Sequence, residues 1–290
     1  MSTVEEMVKR SSGSEAQLSF SKSDIEKKIL FPAGSFTSPG PLLAPLLAVF
    51  LAVVFFFTLS LFPSSHLTQM LTQRGVVPYC IVFLSCWSLM ILLIKYSKFK
   101  LQNRALSLHI LPTDDPGFIL TPTSAKRVME KLYRSVDDPR HFLLTRRVYV
   151  ALANLRNMGD IGDVDKVLGT QADNDEAIVD SSYTILKGFV WAIPVLGFIG
   201  TVLGLSVALG SFGDVLSNAE EMGELKTALQ SVTGGLSTAF ETTLEGLVSA
   251  LCIQMLMTGM QRKEEQFLDD CRDYCQKNIV GRLRLINNEL

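Results

Sequence analysis

Histidine is scarce in this 290-residue chain: His66, His109 and His141 are the only three, and they lie on different segments. The sequence also lacks HExxH, GxSxG, a Walker A loop and any CxxC pair. Zinc-hydrolase, serine-hydrolase, nucleotide-hydrolase and dithiol chemistry have no motif to rest on, so no enzyme, metal centre or cofactor is expected. Cysteine offers no more. Of the five, Cys80, Cys86 and Cys252 fall in apolar runs, and Cys271 and Cys275 sit four apart on an expected helix. With no histidine nearby and a reducing cytoplasm around it, that pair reads as small packing residues rather than metal ligands. Charge is scarce too: 19% of residues are charged against 48% hydrophobic, with a formal net charge of -2. No nucleic-acid partner is expected, and the apolar residues must be concentrated in runs. A cleavable signal peptide is also missing, because a polar leader precedes the first apolar run and no small-residue cleavage site follows it.

What the chain does contain is four such runs. Leu42 to Leu61, Val76 to Ile94 and Gly188 to Leu209 carry no charge, and Thr227 to Gln261 carries only Glu241 and Glu245. About 20 residues at about 1.5 Å each cross a hydrocarbon core as a helix, so four membrane spans are expected. The last run would reach about 50 Å and should extend beyond the bilayer. Lys22, Lys27 and Lys28 precede the first span, Lys95, Lys98, Lys100 and Arg104 follow the second, Lys187 precedes the third, and Arg262 and Lys263 follow the fourth. The other two connections hold only Arg74 and Lys226. By the positive-inside rule both termini and the central loop are expected in the cytoplasm.

The third span is unlike a lipid anchor. Gly200, Gly204 and Ala208 recur every four positions beside Gly197, a stripe that lets another helix approach closely where no hydrophobic effect drives association. Pro194 removes a backbone donor and frees the carbonyl of Val190, so a kink or flexible point is expected there. In the fourth span, Glu241 and Glu245 share one helical face with Thr238, Thr242 and Ser249. An ionised acid at bilayer depth costs roughly 2.5 to 3.5 kcal/mol on insertion scales, so this stripe should face a bundle interior or a water-filled path.

Pro194, Leu196, Gly197, Gly200, Thr201, Val202 and Gly204 spell PVLGFIGTVLG, and Gly235, Ala239, Thr243, Gly246, Leu247 and Ala250 mark the last span. Together, over roughly Asp180 to Arg262, they resemble the MotA/TolQ/ExbB proton-channel family. The resemblance implies five copies in a ring, with the third and fourth spans lining a pore and the first two outside. A dimer of a single-span MotB, TolR or ExbD-like partner would occupy that pore, its aspartate taking up a proton, or sodium. Thr201 and Thr243 correspond to pore-lining hydroxyls. Thr238 stands where ExbB and TolQ proteins usually have a membrane glutamate, and Glu241, just before two threonines, is favoured over Glu245 to replace it. Four spans resemble flagellar MotA, whereas the GTVLG core is closer to ExbB and TolQ, so the process driven is left open. A non-conducting membrane scaffold is the rival reading.

The expected organisation is all-α: a cytoplasmic leader (1–41), a peripheral hairpin (42–94), a helical cytoplasmic insert (95–186), a pore-forming pair with Gly246 and the stripe above in its packing face (187–261), and a C-terminal helix (262–290). It belongs in a bacterial inner membrane, with the lipid bilayer as its surroundings. SKSDIEKKIL, at 21–30, suits either a short amphipathic helix or an unstructured leader. In the insert, helices are expected over Ser124 to Val136, capped by Ser124, and over Pro139 to Met158, with a break at Gly159 to Gly169. From Asn174 the pattern runs into the third span without a turn signal. Arg134, Arg146, Arg147 and Arg156 form either a docking surface or a solvated face. The tail places Leu268, Cys275, Ile279, Leu283 and Ile286 on one side, a face expected to pack on the insert of the same or a neighbouring chain.

Overall fold

The computed structural model describes Leu18, Phe20, Glu26, Gly34 and residues 36–108, 110–111, 118–155, 161–218 and 222–284, and these are all-α. In chain order the helices are α1 (Leu43–Ser60), α2 (His66–Thr72), α3 (Val77–Leu106), α4 (Pro122–Ser135), α5 (Leu143–Asn154), α6 (Ile161–Ser181), α7 (Thr184–Asn218) and α8 (Met222–Asn278), with short 3-10 turns at Pro139–His141 and Val280–Arg282. Among the described residues, four helical stretches are long and apolar enough to cross a membrane. They coincide with the four runs in the sequence. The chain divides into two compact units, one of residues 42–93 and 183–259, the other of 1–41, 94–182 and 260–290.

The first unit contains the spans. In α1 the side chains buried are Leu43 and the small Ala44, Ala48 and Ala52, while Phe50, Val53 and Phe57 are exposed. This arrangement is inverted relative to a water-soluble helix: large apolar side chains suit lipid, and small ones suit close packing. The helix ends where Thr58 and Ser60 turn their hydroxyls back onto the carbonyls of Phe55 and Phe57, with Pro63 just beyond. The connection to α3 holds α2, pinned by the Thr68 hydroxyl on the Phe62 carbonyl at 2.8 Å. Gly75 then takes a φ of 87°, open to glycine and strained for other residues, immediately before α3. Val77 and Ile81 of α3 pack with Ile193, Ala250 and Ile253 in a buried apolar cluster.

The second unit is built on helix caps and a few buried ion pairs. The sequence places the cap of α4 at Ser124. In the structure Thr121 is the N-cap and Ser124 is its partner three residues on: each side chain accepts the other's backbone N–H, with Pro122 in the first turn. The single helix expected over Pro139 to Met158 is divided. Asp138 caps the 3-10 turn, and the buried Gln102 side chain bridges the break, donating to the His141 carbonyl and accepting from the Leu143 N–H. Gly169 does not break the chain; α6 runs through it, because Val164, Leu168, Ala172 and Val179 keep a buried helical stripe worth more than the roughly 1 kcal/mol a helical glycine costs. The first part of that expected break, 159–160, lies outside the described residues, between α5 and α6; a two-residue turn follows α6 at Ser182 and Tyr183. There the Ser182 hydroxyl bonds the Val179 carbonyl and receives Lys95 Nζ at 2.7 Å, while the Ser182 and Lys187 N–H groups still bond the Ile178 and Tyr183 carbonyls in helical register, so the run into the third span passes through a short turn.

A few residues of the leader are described, and these pack against the second unit's helices. Leu18 pairs with the strand-like Val136, Phe20 stacks on His141 and Phe142, and the buried Glu26 accepts N–H groups of Gly34 and Gly40 while pairing with Lys98. The rest of the 21–30 segment lies outside the described residues. The arginines do not form one docking face. Arg147 is buried on Asp175 at 2.8 Å, and Arg146 lies over the Phe36 ring. Arg134 is exposed, and Arg156 is outside the described residues. The tail packs on its own chain: Leu268, Cys275, Ile279 and Leu283 are buried, and Leu283 bridges to Leu120. Ile286 is outside the described residues. Cys271 and Cys275 are both buried in this core.

Candidate functional site

The small-residue stripe of α7 meets an equivalent stripe on α8 of the same chain. A Cβ at Gly197 would stand 2.9 Å from the Thr242 carbonyl, and one at Gly246 would stand 3.0 Å from the Ile193 carbonyl. At Gly200 it would overlap the Thr242 side chain, and at Gly204 it would lie 2.8 Å from the Gly235 carbonyl. On the facing helix, a Cβ at Gly235 would come within 2.6 Å of Ala208 Cβ. Real Cβ atoms do not approach so closely. The two helices therefore run antiparallel at backbone contact, Gly197 level with Gly246 and Ala208 level with Gly235. α7 continues through Pro194 without a break in its helical assignment.

That register sorts the threonines. Thr242 is enclosed between the helices against Gly200, only 1% exposed, its hydroxyl donating to the Thr238 carbonyl at 2.9 Å. Thr243 lies at the edge of the seam, its hydroxyl 3.2 Å from both the Gly197 carbonyl of α7 and the Ala239 carbonyl of its own helix. Thr201 follows Gly197 by one turn on the same face of α7, and its hydroxyl bonds the Phe198 carbonyl. Thr201 and Thr243 thus occupy one edge at one level. Thr238 bonds back to the Gly234 carbonyl at 3.0 Å.

The acids lie elsewhere. Glu241 is two residues from Thr243, about 200° around the helix, and it faces Arg74 from the connection between the first two spans. Arg74 Nε approaches Oε2 at 2.7 Å and Nη2 approaches Oε1 at 3.0 Å, a bidentate pair. Arg74 also donates to Ser237 and Thr238, both at 3.2 Å, and Ser237 donates to Glu241 at 2.8 Å. Arg74 was not among the residues singled out from the sequence. The signal for it is that it is the sole cation between the first two spans, in a chain with two acids in a later span. Glu245, one turn beyond Glu241, is buried at 8% exposure, and neither carboxylate oxygen has a hydrogen-bond donor among the described residues. The structure thus joins Glu241 to Thr238 through Arg74, joins Thr242 and Thr243 to α7, and leaves Glu245 apart from both groups.

Among the described residues no group of three or more His, Cys, Asp and Glu gathers in the way a metal ion would need. The arrangement offers hydroxyls at a helix seam and carboxylates inside a bundle. Residues 141–273 match the model of the MotA/TolQ/ExbB proton channel family, reaching past the two motif-bearing spans in both directions. No curated protein and no solved structure matches.

Proposed function

Residues 141–273 being a MotA/TolQ/ExbB proton channel family region, we propose that this multi-pass membrane chain is the channel-forming subunit of an ion-driven motor, five copies surrounding a dimer of a single-span MotB, TolR or ExbD-like protein. The family is one of channels, not enzymes. The observation that carries the reading is the α7–α8 seam: helices joined at backbone contact through Gly197, Gly200, Gly204 and Gly246, with Thr201 and Thr243 level on one edge. Side chains held this closely keep two hydroxyls at a fixed depth; each already donates to a backbone carbonyl, so it accepts from a passing water or a protonated partner carboxyl and donates to one by releasing that carbonyl. Thr201 and Thr243 form the polar lining in this reading, and Thr242, enclosed in the seam, holds the helices together. The carboxylate that takes up the ion at the pore axis belongs to the partner. Each elementary charge crossing roughly 100 mV releases about 2.3 kcal/mol, enough to bias stepwise rotation of the ring about that partner. The termini and the second unit lie on the cytoplasmic face of a bacterial inner membrane, as the cation distribution indicates.

The test is the pair of substitutions Thr201→Val and Thr243→Val, which keep shape and remove the hydroxyls. Ion-driven work is expected to be lost while the complex still assembles at normal stoichiometry. Retention of function in the double variant would leave the membrane scaffold as the better reading.

A further inference from the structure

The two acids of α8 are four residues apart on one face, yet their surroundings are opposite. Glu241 has a full complement of donors. Glu245 has none: its side chain is more than nine-tenths enclosed by its own chain, and both oxygens are without a partner among the described residues. Its neighbours along the helix bracket it, the Arg74–Glu241 tie on the N-terminal side and the Val77, Ile81, Ile193, Ala250 and Ile253 cluster on the C-terminal side.

The charged groups within reach are few. On α8 there is Glu241; from the connection between the first two spans there is Arg74, with His66 near Glu241. The packed stretches of α3 and α7 contribute no charge, since none occurs over Val77 to Ile94 or Gly188 to Leu209. Arg74 already spends four of its five N–H donors on Ser237, Thr238 and both oxygens of Glu241. An ionised carboxylate in such a site, without donor or counter-ion, costs several kcal/mol. A carboxylic acid carrying a proton does not.

The geometry points to Glu245 as a proton-binding site of this chain itself, and to Glu241 as its fixed, ionised neighbour that keeps Arg74 occupied. Glu245 takes up one proton and becomes neutral inside the helix bundle; on release it is left a carboxylate with no donor among the described residues, while Arg74 stays held on Glu241. The role in ion flow rests on the motor reading above, whereas the proton site itself does not. It also lies apart from the edge carrying Thr201 and Thr243, so the site is additional to the lining proposed there.

Dicyclohexylcarbodiimide, which modifies protonated carboxyls in apolar surroundings, tests this on the full chain in its native membrane. Peptide mapping by mass spectrometry across a pH series is expected to find the adduct on Glu245 and not on Glu241, declining as the pH rises and absent in Glu245→Gln. No adduct on Glu245 at acid pH, or equal adducts on both acids, would overturn the assignment. Protection by sodium at constant pH would overturn a proton in favour of a sodium ion. If Glu245 is labelled but Glu245→Gln retains ion-driven work, its part in ion flow is refuted while the motor reading stands. If Glu245 is labelled as described and the Thr201 and Thr243 variants keep their function, the motor reading fails and the proton site remains.

Discussion

At Arg74 a residue from a connecting loop reaches three side chains of a distant helix, Ser237, Thr238 and Glu241, the last of them 167 positions away in sequence. Side-chain exposures of 25% and 16% for Arg74 and Glu241 place the pair in a partly desolvated site, where a bidentate guanidinium–carboxylate contact keeps more of its energy than on an open surface. A double-mutant cycle of Arg74→Ala and Glu241→Ala, read by thermal unfolding in mild detergent, should give a coupling energy of about 1–2 kcal/mol. A parallel cycle pairing Arg74 with Glu245 should give a much smaller value in this state. Helical period alone makes the two acids equivalent, which is why the sequence places both on one polar stripe; only the resemblance of the segment around Glu241, an acid just before two threonines, favours Glu241 over Glu245. The partner that distinguishes them is visible only after the chain has folded.

At the level of the element, α7 and α8 are held by what they lack. Gly197, Gly200, Gly204, Gly235 and Gly246 form the seam, and the GxxxG spacing of Gly200 and Gly204 announces a close-packed face in the sequence. Gly204→Ala should destabilise the chain by about 1–3 kcal/mol, because its new methyl would meet the Gly235 carbonyl and Ala239 backbone, neither of which can rotate away. Gly259→Ala, where nothing lies within 4 Å, should be neutral or stabilising by up to about 1 kcal/mol through helix propensity. Comparing the two melting temperatures separates packing from propensity. The stripe does not tell from sequence whether its partner is another chain or the next span. In the second unit, helix positions followed from periodicity, but their ends did not: Gly169 is absorbed into α6, and Ser182, bound by Lys95, stands in the short turn that follows it.

For the whole molecule, four spans and an all-α architecture leave open how many chains assemble. The large apolar side chains exposed on the span helices, Trp191, Phe198 and Val207 on α7 and Phe240, Leu244 and Met255 on α8 among them, need lipid or other subunits to cover them. Native mass spectrometry of the complex extracted from its host membrane should find five copies of this chain with two of a small single-span protein. A monomer, or an oligomer without that partner, would count against the motor and favour the scaffold. Observing the 5:2 complex would also supply the partner chain whose own sequence indicates which process is driven.

The sequence by itself determined the medium, the number of spans, the face each helix could offer and the family motif, because these depend on hydropathy and on periods of three to four residues along one chain. It also showed that the described leader residues Phe20 and Glu26 were available, but not that Phe20 would bury itself on His141 and Phe142 or that Glu26 would meet Lys98. Only the tertiary structure decided which polar groups find each other: Arg147 with Asp175, Arg74 with Glu241, and Glu245 with no donor among the described residues. The reason is physical. A buried charge is settled by a few ångströms of three-dimensional proximity to a donor, and that proximity comes from helix packing between segments whose separation in sequence carries no information about it.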